Sequence, residues 1–427
     1  MELDLLIINA TVVTASDILP EQQIAIKNGK ITIDAYGGHV TPGGVDSHVH
    51  LHQDNSPTGD KFESGTRSAV AGGTTTILAF ASQKKTELSL IPVVEEYHRR
   101  AGGNSYVDYG FHLILTNPTP DILDKELPNL VKEGGITSVK LYMTYDPMKL
   151  SDREILHVMM ATRSLGMTTM IHAENADIIG WISDQLEKLL PILAETCPHY
   201  LYLTSKRLRG QGFEGAKCVC SPPLRENPMD LEAMWAGLSN GTFTTVSSDH
   251  AAHKFDHVQG KKAGLINGTS SFRKIPNGLP GLETRQPLLF SGVLDDKLKV
   301  TKFVELTSSN PAKLYGMGST KGTIAPGYDA DLVIWYPTEE QCADVEKKMK
   351  PFALSNETLH HDIDYSPFEG FVFRNWPRYT VVRGEVVWDR NGKGVVGSKG
   401  FGRYLKRGSS SLGQPRNIWV NDFRPSG

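Results

Sequence analysis

The chain has 427 residues, a formal net charge of −3 at pH 7, 39% hydrophobic residues and 22% charged residues. That length exceeds one ordinary domain and suits a large α/β barrel with an accessory domain, and the balanced charge gives no electrostatic footing for nucleic acid or a membrane surface. No apolar run is long enough to cross a bilayer, the opening MELDLLIINATVV reads as a strand rather than a leader, and four cysteines without a CxxC pair read as reduced thiols of a cytoplasmic protein.

In chain order, Leu3–Ile8, Ile24–Ile26 and Ile31–Ile33 are short β-type runs, with Asn28-Gly29 as a hairpin signal between the last two. Residues 323–336 and 379–388 have the same character. We read residues 1–43 and 322–390 as one small, discontinuous β-sandwich that the chain leaves and re-enters. Between them, residues 44–321 alternate differently. Thr74–Phe80, Tyr109–Leu115, Ser138–Met143, Thr168–Ile171 and Thr242–Val246 are apolar, β-branched runs expected of strands buried on both faces. Helical stretches such as Asp152–Leu165, Ala176–Leu190 and Pro228–Leu238 lie among them. Repeated β-then-α units predict a TIM-type (β/α)8 barrel, whose chemistry sits at the C-terminal strand ends. The extension 391–427 is rich in Gly, Ser, Lys and Arg, and reads as mobile or draped over the surface.

The strand-end rule isolates four groups. His48 and His50 follow Pro42-Gly43-Gly44 and alternate, so an extended segment points both imidazoles to one side, as half of a metal site. Lys140 sits inside the apolar run SVKLYM, where a buried amine demands either an ion-pair partner or a chemical role. His172 directly follows TTMI, and Asp249 directly follows TFTTVSS; an aspartate there can bind metal and shuttle a proton. Tyr145 stands at the mouth of the Lys140 strand.

These motifs resemble the amidohydrolase superfamily. GTRSAVAGGTTT, SVKLYMTY, HAEN, ETCPHYL, CSPPLR, IPNGLPG, SSNPAKLYGM and GYDADLVIWYP resemble its dihydropyrimidinase and hydantoinase branch, and DYSPFEGFVFRNWPRYTVVRGEVV resembles the fungal type. The resemblance implies two divalent cations, zinc by family expectation, bridged by a carboxylated Lys140. It implies His48 and His50 on the more buried cation, His172 on the more exposed one, and Asp249 as ligand and as base, then acid. Tyr145 would polarise the carbonyl, and Ser221 and Asn277 would hold the amide edge of the ring through backbone groups. The implied reaction opens 5,6-dihydrouracil or dihydrothymine to an N-carbamoyl-β-amino acid, in a cytoplasmic homotetramer acting on a small cyclic amide. Hydantoinase, allantoinase and dihydroorotase are the neighbouring enzyme readings. The other class is a non-catalytic scaffold like the collapsin response mediator proteins, against which the retained ligand residues argue.

The sequence departs from this pattern at one place. The resembled family carries a further histidine on a sixth barrel strand, and too few residues lie between His172 and Cys197 for that strand and its helix. We therefore expect seven barrel strands, a segment missing around residues 180–195, one ligand absent and a chain of poor stability. His199 is the nearest histidine, at a position the family fills with varied polar residues; His250, His253 and His257 lie beyond Asp249 and are no better candidates.

Overall fold

The structure, a computed structural model, describes residues 3–54, 56–145, 147–173, 193–266 and 269–412. Two β systems organise it. The first is a seven-stranded sheet drawn from both chain ends: β1 (Leu3–Val13), β2 (Ile18–Asp34), β3 (His39–Pro42), β13 (Leu332–Trp335), β16 (Pro377–Val382), β17 (Glu385–Asp389) and β18 (Gly394–Val395), in the order β18-β17-β16-β13-β3-β1-β2. β2 registers on β1 twice, Leu5 opposing both Ile26 and Ile31, which a fold-back at Asn28-Gly29 accounts for. Leu5, Ile7, Val40, Leu332, Ile334 and Val381 form its buried apolar face.

The second system is a curled parallel sheet. Its strands β4 (Gly44–Val49), β5 (Thr74–Ser82), β6 (Asp108–Ile114), β7 (Ser138–Tyr142) and β8 (Thr168–His172) pair in sequence order. β5, β6 and β7 are buried almost throughout, as their unbroken apolar runs require. β9 (Ala194–Thr196) pairs in parallel with β10 (Phe243–Val246), and a bridge between Val49 and His250 joins this pair to β4. The parallel strands therefore number seven among the described residues, and none of them pairs with the outer edge of β8. β8 is half-buried along its whole length, unlike β5 to β7.

Two minor pairs complete the strands: β11 (Leu265–Ile266) with β12 (Thr269–Ser270), and β14 (Phe352–Ala353) with β15 (Val372–Phe373). Helices pack outside the barrel strands. Asp152–Ser164 begins at a capping box in which Ser151 Oγ accepts from Glu154 N and the Glu154 carboxylate accepts from Ser151 N. Pro228–Asn240 begins on Asn227, whose side chain accepts from Met229 N, with Pro228 at the first position. The helix expected over Ala176–Leu190 lies outside the described residues.

The run PILAETCPHY reads in the sequence as one strand; among its described residues Ala194–Thr196 is extended and a helical turn spans His199–Tyr202. Pro198 has no N–H to continue a ladder, which ends the strand where it does. The glycine-rich extension is draped over the surface and held there by specific hydrogen bonds along its described length. Leu405 N donates to Tyr109 O (2.8 Å), Arg407 N to Gly135 O (3.1 Å) and Tyr404 Oη to Gly134 O (2.7 Å). Arg407 is buried, with its guanidinium on Phe111 O and on Ser138 Oγ. These partners sit at the N-terminal ends of β6 and β7, so the extension closes the barrel floor opposite the predicted site.

Candidate active site

β3 runs into β4 through Gly43 and Gly44, where close packing rather than a tight turn selects glycine. A Cβ on Gly43 would lie 2.1 Å from Thr75 Oγ1, and one on Gly44 2.0 Å from Gln286 Nε2. β4 then delivers His48 and His50 to its C-terminal end. Asp46, buried one turn of the pleat below, accepts from His48 N (3.3 Å) and Ser248 N (3.2 Å) and faces Arg285 Nε at 3.5 Å. It thereby ties the histidine strand to the aspartate strand.

His48, His50 and Asp249 converge. Their ligand atoms lie within 4.8 Å of one another, and Asp249 Oδ1 is 3.4 Å from His48 Nε2 and 3.7 Å from His50 Nε2. Ligands each about 2.1 Å from a shared tetrahedral cation stand about 3.4 Å apart, so the donor set fits a divalent metal. The far ring nitrogens are held as a metal site needs. His48 Nδ1 is 2.7 Å from Glu195 Oε1, and His50 Nδ1 is 3.2 Å from Gln53 Oε1, which turns each Nε2 toward Asp249. Burial, reinforced by His48 and Lys140, holds the His50 imidazole neutral and well below its usual value. Burial also raises the Asp249 carboxyl, against the pull of His48 and Lys140.

Lys140 is buried, with its Nζ 5.8 Å from the Phe80 ring centre and 5.4 Å from that of Tyr142. Phe80 is also the ring against which His48 and His50 pack, at 4.7 and 4.6 Å, so the three groups share one wall. Among the described residues no carboxylate reaches ion-pair distance of this amine, which removes the structural explanation for a lysine in a core strand. Burial lowers its pKa, opposed by Asp249 and Glu195.

His172 ends β8 and packs on Tyr142 (5.7 Å) and Tyr145 (5.3 Å), outside the His48–His50–Asp249 group though electrostatically coupled to Asp249. Tyr145 and Asp249 both take left-handed backbone angles, φ 69° and 44°. Such conformations are uncommon for these residue types and concentrate at sites where a side chain must be aimed. All of these side chains, with Ser221 and Asn277, line one cavity of about 1440 Å³.

The remaining histidines divide clearly. His250 is fully buried and pairs with Asp60 (3.0 Å), His253 approaches Ser56 Oγ (3.4 Å), and His199 lies buried behind Cys197. Sequence reasoning missed Glu195, Gln53 and Lys261. Glu195 carried the same signal as Lys140, an ionisable residue within a short strand. Lys261 is fully buried and donates to the carbonyls of Val219 (2.9 Å), Pro276 (2.7 Å) and Gly278 (2.8 Å), binding together the two loops that carry Ser221 and Asn277.

Comparison with known proteins agrees with this arrangement. The amidohydrolase family model matches residues 39–387. The chain is 37% identical to a D-hydantoinase of Geobacillus stearothermophilus, covering 94% of this chain and 96% of that one, and 32% identical to a D-phenylhydantoinase of Escherichia coli (strain SE11), covering 94% and 98%. Among solved structures it superposes on a dihydropyrimidinase from Brevibacillus agri NCHU1002 with a TM-score of 0.82 at 33% identity, covering 95% of this chain and 98% of that one. Barrel, strand-end ligands and sequence together make this chain a member of the amidohydrolase family.

Proposed function

We propose that the chain hydrolyses a cyclic amide, opening 5,6-dihydrouracil or dihydrothymine to an N-carbamoyl-β-amino acid, with a hydantoin ring as the nearest alternative substrate. The observation that carries this reading is the convergence of His48, His50 and Asp249 on one cavity that Lys140, Tyr145, His172, Ser221 and Asn277 also line. Relatives named D-hydantoinase and dihydropyrimidinase support the substrate class.

His48 and His50 would hold one divalent cation, zinc by the family resemblance, and a carboxylated Lys140 with His172 would serve a second. Bound cations would lower the pKa of a water and draw electron density from the attacked carbonyl. Lys140, whose ammonium form burial disfavours, would take up CO₂ by forming an N–C bond and releasing a proton, and the carbamate's oxygens would be anionic donors for the cations. In the ring opening, Asp249 takes a proton from the water as its oxygen bonds to the carbonyl carbon. The Tyr145 hydroxyl donates to the carbonyl oxygen as charge grows there. Asp249 then returns the proton to the ring nitrogen as the C–N bond breaks. Backbone groups of Ser221 and Asn277 would hold the amide edge, fixing which carbonyl meets the water.

A second reading is a shortened homologue with impaired turnover. The outer edge of β8 supports it, being unpaired among the described strands. So does the length of the alignment with the G. stearothermophilus relative, 476 positions against the 427 residues of this chain. Ring-opening assays on dihydrouracil, hydantoin, allantoin and dihydroorotate, run beside metal analysis, separate the readings. Turnover of the first two with bound zinc supports the enzyme, whereas zinc without turnover supports the impaired homologue. Sequencing the transcript across codons 176–196 would reveal a coding segment lost from this chain.

A further inference from the structure

A second group of ligand-type side chains stands in the wall of the same cavity. Cys197, at the end of β9, His199, in the helical turn that follows, and Asp249 bring a thiol, a ring nitrogen and a carboxylate oxygen within 4.8 Å of one another. Cys197 and Asp249 line the cavity, and His199 lies behind them. His199 is 4% exposed, and its Nε2 has no hydrogen-bond partner among the described residues. A buried imidazole nitrogen left unpaired is uncommon in a folded protein and calls for an unseen partner. The Cys197 thiol is buried too, and its described polar contact is Ser247 Oγ at 3.6 Å, a weak neighbour that leaves the sulfur free to bind an ion.

The placement follows from the strand's early end. Glu195 and Cys197 alternate, so both face the barrel interior, Glu195 reaching His48 while Cys197 reaches toward Asp249. Pro198 stops the strand, and the turn beginning at His199 brings its ring back beside the Cys197 sulfur.

We propose that Cys197, His199 and Asp249 form a cation site of their own, taking zinc or a cation of similar softness, with a fourth position open to the cavity. A thiolate, an imidazole and a carboxylate are a donor set that selects such ions over magnesium or calcium. Asp249 is common to this group and to the His48–His50 group, so its carboxylate stands between the two. A thiolate-bearing position would thus stand beside the histidine pair, separate from the one given to Lys140 and His172. The assignment stands on donor geometry and does not depend on the hydrolytic reading.

The test is spectroscopic. The full-length metal-free protein, titrated with cobalt(II), should develop an intense thiolate-to-cobalt charge-transfer band in the near ultraviolet, which histidine and carboxylate ligands alone do not produce. Cys197→Ser should abolish that band while leaving the visible cobalt bands of the His48–His50 position. His199→Gln, which removes a direct ligand, should weaken cobalt binding at the thiolate position by at least the roughly tenfold that loss of even an outer-shell partner costs. X-ray absorption of the zinc-loaded wild-type protein needs no variant, and should show a sulfur scatterer at about 2.3 Å. Only nitrogen and oxygen scatterers, or a charge-transfer band that persists in Cys197→Ser, would overturn the proposal. Unchanged cobalt affinity in His199→Gln would remove His199 from the site.

Discussion

At the scale of single residues, the chemistry depends on groups that aim other groups. His48 can present Nε2 to an ion because Glu195 holds Nδ1 at 2.7 Å. Glu195→Gln keeps the shape and removes the charge, so zinc affinity should fall by about 10–100-fold, read by competition with a chromogenic chelator. An unchanged affinity would mean that Glu195 only packs. Lys261 acts on the opposite wall, where its three carbonyl partners keep the Ser221 and Asn277 loops in register. Lys261→Met removes the donor to the Pro276 and Gly278 carbonyls and leaves Val219 O only Gly278 N; we expect KM for dihydrouracil to rise while zinc content stays at the wild-type level. These residues also mark how far the sequence could be read. His48 and His50 were legible because alternation on a strand is local, and Lys140 because an amine in an apolar run stands out. Glu195 was not, since its partner lies 147 residues away in sequence and only barrel closure brings the two together.

At the scale of elements, buried ion pairs join segments that share few backbone hydrogen bonds. Asp60, fully buried ahead of the helix Phe62–Ala71, meets His250 (3.0 Å), Ser64 Oγ (2.7 Å) and Asp362 N (2.8 Å). Burial alone would raise its carboxyl, but His250, His361 and Ser64 outweigh that and hold it at about 2. A carboxyl held below its unfolded value stabilises the fold fully above that value, near 3.8, and loses the contribution as pH falls toward 2. The wild-type protein should therefore lose on the order of 2 kcal/mol across that window. Asp60→Asn should flatten this part of a pH series of denaturant melts; an equally steep acid loss in the variant would refute the assignment. Lys321 is a second junction, with Nζ 2.7 Å from both Asp108, at the start of β6, and Asp331, beside β13. Lys321→Met would leave buried Asp331 without its cation, while Asp108 keeps Arg383, and should cost about 3 kcal/mol, seen as a fall in the denaturation midpoint. Strand positions were legible at this scale because β5 to β7 are unbroken apolar runs. The limits of β9 were not, because Pro198 and the following turn decide them.

At the scale of the whole molecule, the barrel is closed below and, among the described residues, less complete beside β8. The extension seals the floor through Arg407, Tyr404 and Leu405. A chain ending at Asn391 should melt at a lower temperature and bind hydrophobic dyes, whereas an unchanged melt would show the extension to be dispensable. Composition marked this segment as a tail, because glycine and serine say nothing of the buried arginine that anchors it. The outer edge of β8 is unpaired among the described strands, and its residues are half-buried.

The central claim is that the His48–His50–Asp249 centre opens a cyclic amide. Its most direct test is zinc-loaded full-length protein incubated with dihydrouracil, with the N-carbamoyl-β-amino acid quantified by mass spectrometry beside an Asp249→Asn control. The account predicts product from the wild-type chain and at least a hundredfold less from Asp249→Asn, the low end of what general acid–base catalysis contributes. Zinc bound in full with no product from dihydrouracil or hydantoin, or equal product from the variant, would contradict it.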